Sequence, residues 1–414
     1  MAPVLLSSCA PAASAPSPTI TAVDPWSERG PITVAVAGVP GVWDGVAELW
    51  NQRHPDEPVT AVDLPPSANR RHAELSERAE AKSGEFSVIA LDPTWTAEFA
   101  SKGWLTPLPA SRFPTEAMLP APVASASWQG DRYAYPVSAD AGLLYYRKDL
   151  LEAAGVDVPT TWAEVEAACA RVRLPSGMSC WGAPLAKDEG LTVNLAEAVS
   201  AAGGQLVSAA GVPEADSPAA RAGLDRLVDG LGSGLIGEAS LSASDQDTVR
   251  QFAEGKLLFA RGWATARHVL ETTRSGDAVA ARTGTAQLPG RSGVAGSVQG
   301  GENLAISSFA RNRGTAADFL AFAASDEAQR ALLERGARGP VLTSLYADPG
   351  LAKRHPDLST LSSALESAVA LPVSVRYDEV TAAIQEQATA ALRGEKTSEQ
   401  ALTDLQSKLE PLLE

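Results

Sequence analysis

The 414-residue chain is poor in the side chains that carry most metal and covalent chemistry, with four histidines and three cysteines. His54, His72, His268 and His355 are scattered through polar contexts, with no pair at metal-ligand spacing. Cys169 and Cys180 are too far apart in sequence for a zinc half-site. A P-loop and a G-x-S-x-G turn are both missing, so no metal, no cofactor and no enzymatic activity are expected. The string from Gly232 to Gly237 spells G-x-G-x-x-G, but the residues before it, Pro218 to Leu231, read as a helix where a dinucleotide site needs a strand. No run of 18 apolar residues is present to cross a membrane, and no internal repeat is apparent. Basic residues are outnumbered, 34 against 50 acidic ones, which argues against nucleic acid or anionic lipid as the main partner.

What is present reads as a large α/β protein. The length exceeds the roughly 250 to 300 residues at which single cores stop growing, so two lobes are expected. A β-branched run, Ile32 to Val36, precedes a helix from Asp44 to Gln52, and the loop between them places Trp43 and Asp44 at the carboxyl end of a strand. Strands follow at Val59 to Leu64 and Phe86 to Leu91, separated by a polar helix from Asn69 to Lys82. The third strand delivers Asp92 and Trp95, and Asp92 could cap the next helix while offering an oxygen to a ligand.

The stretch from Tyr133 to Trp162 organises the rest. Its apolar strand is broken by Ser138-Ala139-Asp140-Ala141-Gly142, a polar interruption that marks where a chain leaves one core, faces a cleft and enters another. Lys148 to Ala154 then reads as a helix ended by Gly155, and Thr160-Thr161 as the cap of a second one. Beyond Gly142 a mostly helical lobe is expected, with Glu189 opening one helix and a glycine-flanked Trp263 at the end of a short strand. Gly300-Gly301-Glu302-Asn303 starts the returning strand, where glycines let backbone N–H groups come close to a ligand. Tryptophans and carboxylates on loops at strand ends suit a sugar, whose C–H faces stack on indole and whose hydroxyls donate to carboxylates for roughly 1.5 to 3 kcal/mol each.

Several stretches carry a resemblance: FSVIALDPTWTAEFASKGWLTPL, YAYPVSADAGLLYYRKDLLEAAG with PTTWAE, QFAEGKLLFARGWATARHVL, GGENLAIS and SLYADP. In this order they resemble the family 1 extracellular solute-binding proteins, the ligand receptors of bacterial ABC sugar importers, and within them the trehalose-binding lipoproteins of actinobacteria. The resemblance implies an α/β, two-lobed periplasmic-binding-protein-like fold with a hinge and a central ligand cleft. One lobe would take in 31–138 with 298–325 and the other 139–297 with 326–414, after a tether over 1–30. It also implies a monomer that captures a carbohydrate, of the trehalose or maltose type or an amino sugar, and delivers it to ABC permease subunits. The ligand-binding residues would be Trp43, Asp44, Asp92, Trp95, Asp140, Glu189, Trp263, Gly301, Glu302 and Arg376.

Departures from the relatives concern the ligand. Asp140 stands where they have Asn, Glu302 replaces an apolar residue, and Leu371-Pro372 replaces an Arg-Pro that reaches the sugar, with Arg376 a few residues on. An acidic pocket would favour an amino sugar or another hydroxyl-rich ligand. A polyol phosphate or glycerophosphodiester receptor of the same fold is the alternative, with Arg376, Arg261 and Arg147 as the basic candidates. A glycoside hydrolase would instead use a carboxylate pair such as Asp92 and Asp140 about 5 to 10 Å apart.

Leu6-Ser7-Ser8-Cys9 resembles a lipobox, although too little precedes it for a basic region and an apolar core. Ala10 to Pro31, rich in Pro, Ala, Ser and Thr, reads as a flexible tether. Together they imply lipidation at Cys9 and a place on the outer face of the cytoplasmic membrane. In an exported protein Cys169 and Cys180 suggest a local disulfide across a short turn, the alternative being two buried thiols.

Overall fold

A computed structural model describes residues 24–208, 210–273 and 277–413, so the Cys9 assignment lies outside the described residues. Among the described residues, nine strands form the two main sheets, and Ser127–Trp128 pairs with Asp131–Arg132 in a small ribbon apart from them. β1 (Ile32–Val36), β2 (Val59–Asp63), β3 (Val88–Leu91), β4 (Ala134–Ala141) and β9 (Gln299–Ile306) make the first, in the order β2-β1-β3-β9-β4. β5 (Leu143–Arg147), β6 (Ser179–Gly182), β7 (Leu257–Gly262) and β8 (Thr283–Gln287) make the second, in the order β8-β5-β7-β6. β1, β2 and β3 run parallel, whereas β9 runs antiparallel to both β3 and β4.

The chain crosses between sheets at Gly142, where β4 hands over to β5. A side chain there would collide with the Glu197 carboxylate and approach Arg261 Nη2 to 2.9 Å, so the crossing requires glycine. It crosses back before β9, where Val298 pairs with Val369.

The helices that shape the cleft are α1 (Val42–Asn51), α2 (Ala68–Glu80), α3 (Thr96–Ser101), α4 (Trp162–Arg171), α5 (Glu189–Ala201), α6 (Arg313–Ala323), α7 (Asp326–Gly336), α8 (Leu358–Glu366), α9 (Tyr377–Leu392) and α10 (Ser398–Leu413). α4 starts as its sequence demands. Thr161 Oγ1 accepts from Glu164 N at 3.2 Å and the Glu164 carboxylate accepts from Thr161 N at 3.0 Å, a reciprocal cap. α9 packs on α5 and α10 on α9, burying Val380, Ile384, Leu402, Leu405 and Leu409 and completing the second-lobe core.

One expected boundary moves. α7 packs on α1, and its Ala328 and Leu332 share a core with Val34, Val46 and Leu320, so the segment from 326 begins in the first lobe rather than the second. The apolar face of α7 is complementary to α1, and nothing in the local pattern of a surface helix says which lobe it will cover. α8 then packs on β4, β5 and β8, bridging to the second sheet.

Cys169 on α4 and Cys180 on β6 form a disulfide with Cα atoms 5.7 Å apart. It ties a helix end to an edge strand across a short loop. Replacing both cysteines with alanine is expected to lower stability by about 2 to 3 kcal/mol. Thermal unfolding of the non-reduced protein reads the effect, and an unchanged midpoint would show that the loop is held by packing alone.

Candidate functional site

The carboxyl ends of β1, β3 and β4 and the start of β9 lie on one edge of the first sheet, the place where open α/β sheets hold ligands. The start of β5 and the ends of β6 and β7 form the corresponding edge of the second sheet, because β5 leaves directly from the crossing.

On the first-lobe side, Asp92 follows β3 and accepts both its hydrogen bonds from Arg71 Nη2 at 3.1 Å. The expected capping role is not seen, since the N-cap of α3 is Trp95 and no side chain caps it. Arg71 Cζ stands 5.7 Å from the Trp95 ring, and Trp95, 2% exposed, packs edge-on to His72 at 5.3 Å. His72 in turn meets the fully buried Glu98, which also holds Lys102 at 2.6 Å. Trp43 is buried in the core beside Arg338, whose guanidinium pairs with Glu302 at 2.5 Å. Asp44 is exposed on the first turn of α1. Gly301 has φ +113° next to a bulge in β9, and a side chain there would strike the Ser138 carbonyl.

On the second-lobe side, Trp263 follows β7 and is only partly buried. Arg261 Cζ lies 3.8 Å from its ring centroid, and its outer ring atoms run along Gly300. Arg261 is held by Glu197 at 3.0 and 2.8 Å and by Asp245 at 3.4 Å. Across from it, near the end of β4 in the first sheet, Asp140 is buried and accepts from Ala264 N at 3.0 Å and Ala141 N at 2.8 Å. Burial pushes its carboxyl up to about 6 against those two N–H groups.

The lobes meet at Glu189. Its carboxyl accepts from the Tyr377 hydroxyl and from Thr381 Oγ1 at 2.7 Å, while Tyr377 packs in one cluster with Trp95 and Phe99 of the first lobe. Asn69 N donates to Asp188 at 3.1 Å, and the Asn69 and Gln385 amides exchange hydrogen bonds of 2.9 and 3.3 Å. Burial, with Asp92 and Asp188 adding, pushes the Glu189 carboxyl up to about 7. Opening the cleft would return solvent and remove Asp92, so the open form has the lower pKa and the closed form binds the extra proton. Closure is therefore favoured as pH falls through about 7 and loses that contribution as pH rises above it. Ligand binding at pH 7 is expected to take up protons, measured by calorimetry in buffers of different ionisation enthalpy. Glu189→Gln should abolish the uptake.

Asp92, Asp140, Glu189, Trp263, Gly301 and Glu302 thus converge on the facing edges, with Trp43 and Trp95 buried behind them. Arg376 does not join them: it is exposed, bound to Glu379 at 2.6 Å and to the Pro411 carbonyl at 3.2 Å. Arg147 is likewise taken up by Asp149 at 2.8 and 2.6 Å. The sequence reading missed Arg71, Glu197, Arg338 and Tyr377. Tyr377 is the sequence neighbour of Arg376, but the three ionic groups pair with residues distant in sequence and carry no local signal.

Residues 37–330 match the family described as bacterial extracellular solute-binding protein. The chain belongs to the bacterial extracellular solute-binding proteins. Among its relatives, a probable ABC transporter-binding protein of Deinococcus radiodurans is 26% identical over 380 residues, 88% of each chain. The maltose-bound T. maritima MalE3 structure superposes with a TM-score of 0.86 at 29% identity, covering 92% of this chain and 99% of that one. The GacH receptor of Streptomyces glaucescens, solved unliganded and with acarbose, gives 0.84 at 25% identity over 93% and 98%. The two sheets, the crossing at Gly142 and the polar groups at the facing edges are accordingly the lobes, hinge and cleft of a solute-binding protein.

Proposed function

We propose that this solute-binding protein captures an uncharged carbohydrate or polyol between its lobes and delivers it to the permease of an ABC importer. Its tether would hold it through a lipidated Cys9 to the outer face of the cytoplasmic membrane. The observation that carries the ligand class is the pairing state of the cleft. Arg71, Arg261 and Arg338 are each already paired, with Asp92, Glu197 and Glu302 respectively, so a phosphate would have to displace a carboxylate to gain a cation. This disfavours the polyol phosphate and glycerophosphodiester alternative. Arg71 Nε and Arg338 Nε are buried donors without a partner among the described residues, and a ligand rich in oxygen acceptors is suited to such groups. Maltose-bound and acarbose-bound structures of similar chains support the same class. A thermal-shift screen over mono- and disaccharides, polyols, amino sugars and glycerophosphodiesters tests it. A ligand at a hundredfold its Kd adds about 2.7 kcal/mol of stability. An uncharged sugar or polyol should raise the midpoint, and a response to phosphodiesters alone would overturn the reading.

The Asn69–Gln385 pair lies at the lips of the cleft and exists only when the lobes meet. Gln385→Ala removes a net contribution of about 0.5 to 1.5 kcal/mol from the closed form. The ligand that responds in the screen is expected to leave about two- to tenfold faster, with little change in its association rate by stopped-flow fluorescence.

A further inference from the structure

Asp140 lies two residues before the crossing at Gly142, and its side chain is buried. It is 7% exposed, and its Oδ1 is engaged by two backbone N–H groups. One belongs to its own neighbour Ala141. The other belongs to Ala264, which follows Trp263 and lies in the opposite lobe, 124 residues away. The same short segment is gripped from a second side. Tyr145 Oη, on the strand that continues past the crossing, donates to the carbonyl of Trp263 at 2.9 Å and to that of Ala264 at 3.3 Å. Gly262, just before Trp263, lies against the Tyr145 ring with no room for a side chain other than by close contact at 3.2 Å. The crossing strand pair therefore holds the Trp263–Ala264 peptide by its N–H from one lobe and by its carbonyls from the other.

We propose that Asp140 and Tyr145 form a two-point clamp in which Asp140 is a positioning residue: it fixes the loop that presents Trp263 and couples that loop to the hinge, instead of contacting the solute itself. Three further observations support this. Trp263 is the partly exposed tryptophan of the three assigned to the site, so its placement matters most at the cleft. Its ring is steadied by Arg261 on one face and Gly300 at its edge, but neither of these fixes the backbone that follows. The Asp140 carboxylate has no salt-bridge partner among the described residues, with Arg261 and Arg338 near enough to act on it only through space. A buried carboxylate held by main-chain donors alone is placed for geometry: the bond from Ala141 N fixes the carboxylate, and the charge-assisted bond from Ala264 N ties the loop to it.

The clamp makes a distinction that a direct ligand contact does not. This inference rests on Trp263 meeting the ligand only for its effect on affinity, and the loop itself can be read without ligand. Amide hydrogen exchange of the ligand-free protein at Ala264 is expected to lose about tenfold or more protection in Asp140→Ala, the scale of a charge-assisted hydrogen bond. Asp140→Asn keeps an acceptor oxygen in the same place and should retain most of the protection. Tyr145→Phe should loosen the same segment while leaving Asp140 in place. With maltose as the probe, Asp140→Ala should weaken binding and Asp140→Asn should restore it to within about threefold, about half of the tenfold step of roughly 1.4 kcal/mol. Unchanged exchange at Ala264 in Asp140→Ala would overturn the clamp whatever maltose does. Lost protection at Ala264 with maltose binding unaffected by Trp263→Ala would keep the clamp and remove the tryptophan from the ligand site. If Asp140→Ala fails to fold, the Tyr145→Phe and Asp140→Asn proteins carry the test through the same exchange measurement.

Discussion

Glu197→Ala is expected to cost about 3 to 5 kcal/mol of stability, a large part of the roughly 5 to 15 kcal/mol that holds a domain together. Glu197 lies on α5 with 6% exposure and takes two hydrogen bonds from Arg261, which is 1% exposed, and a third from Val298 N at 3.2 Å. Its removal leaves a buried guanidinium with Asp245, at 3.4 Å, as the remaining partner. It also strips the acceptor from the segment through which the chain returns to the first lobe, so the damage reaches the hinge. Removing the charge from both sides is a different matter: the paired variant Glu197→Leu with Arg261→Met should recover much of the loss, because apolar residues of similar volume need no partner. Urea unfolding measures both. A single variant within 1 kcal/mol of the parent, roughly the scatter of an ordinary surface change, would show that the pair is hydrated and does not hold the lobes.

Trp263→Ala should weaken ligand binding by about thirtyfold or more, the hot-spot scale of roughly 2 kcal/mol, while leaving the fold nearly as stable. The reason is its position: partly exposed at the end of β7, braced by Arg261 and Gly300, with one face left towards the cleft. Trp95→Ala offers the opposite pattern. Trp95 is 2% exposed among Phe99, Leu91 and Trp104, so its removal opens a cavity worth about 3 to 5 kcal/mol of stability. Titration calorimetry and thermal unfolding on the two variants separate a stacking surface from a core residue. If Trp95→Ala lost affinity at unchanged stability, the assignment of the two indoles would be reversed.

The contrast between those tryptophans shows where local sequence stops being informative. The runs Ile32–Val36 and Lys148–Ala154 form the expected strand and helix because period, β-branching and the terminal glycine agree there. The crossing was legible too, since a polar break ending in glycine has few other uses inside an apolar strand. Trp43 and Trp95 sit at strand ends as expected, yet their rings turn into the first-lobe core, and nothing within a few residues distinguishes an indole facing a cleft from one facing a sheet. Arg376 was placed near the ligand because it follows, by a few residues, the Leu371-Pro372 that stands where the relatives have a sugar-reaching Arg-Pro. Three residues on, Glu379 captures it at the surface. Glu302 and Asp92 lose their free charge to Arg338 and Arg71, partners 36 and 21 residues away whose own surroundings look like polar helix and loop. Such pairings are set by how sheets and helices stack, so they become visible only with the fold.

Small-angle scattering with and without the sugar that raises the unfolding midpoint tests most directly whether the lobes grip a solute. Gripping requires that the solute favour the conformation in which Asn69 meets Asp188 and Gln385 and Tyr377 packs with Trp95 and Phe99. The radius of gyration should fall on adding the sugar, to the value calculated from the closed arrangement. Identical curves in both conditions, with the sugar demonstrably bound, would mean that it sits on one lobe alone and that the cleft is not the binding site.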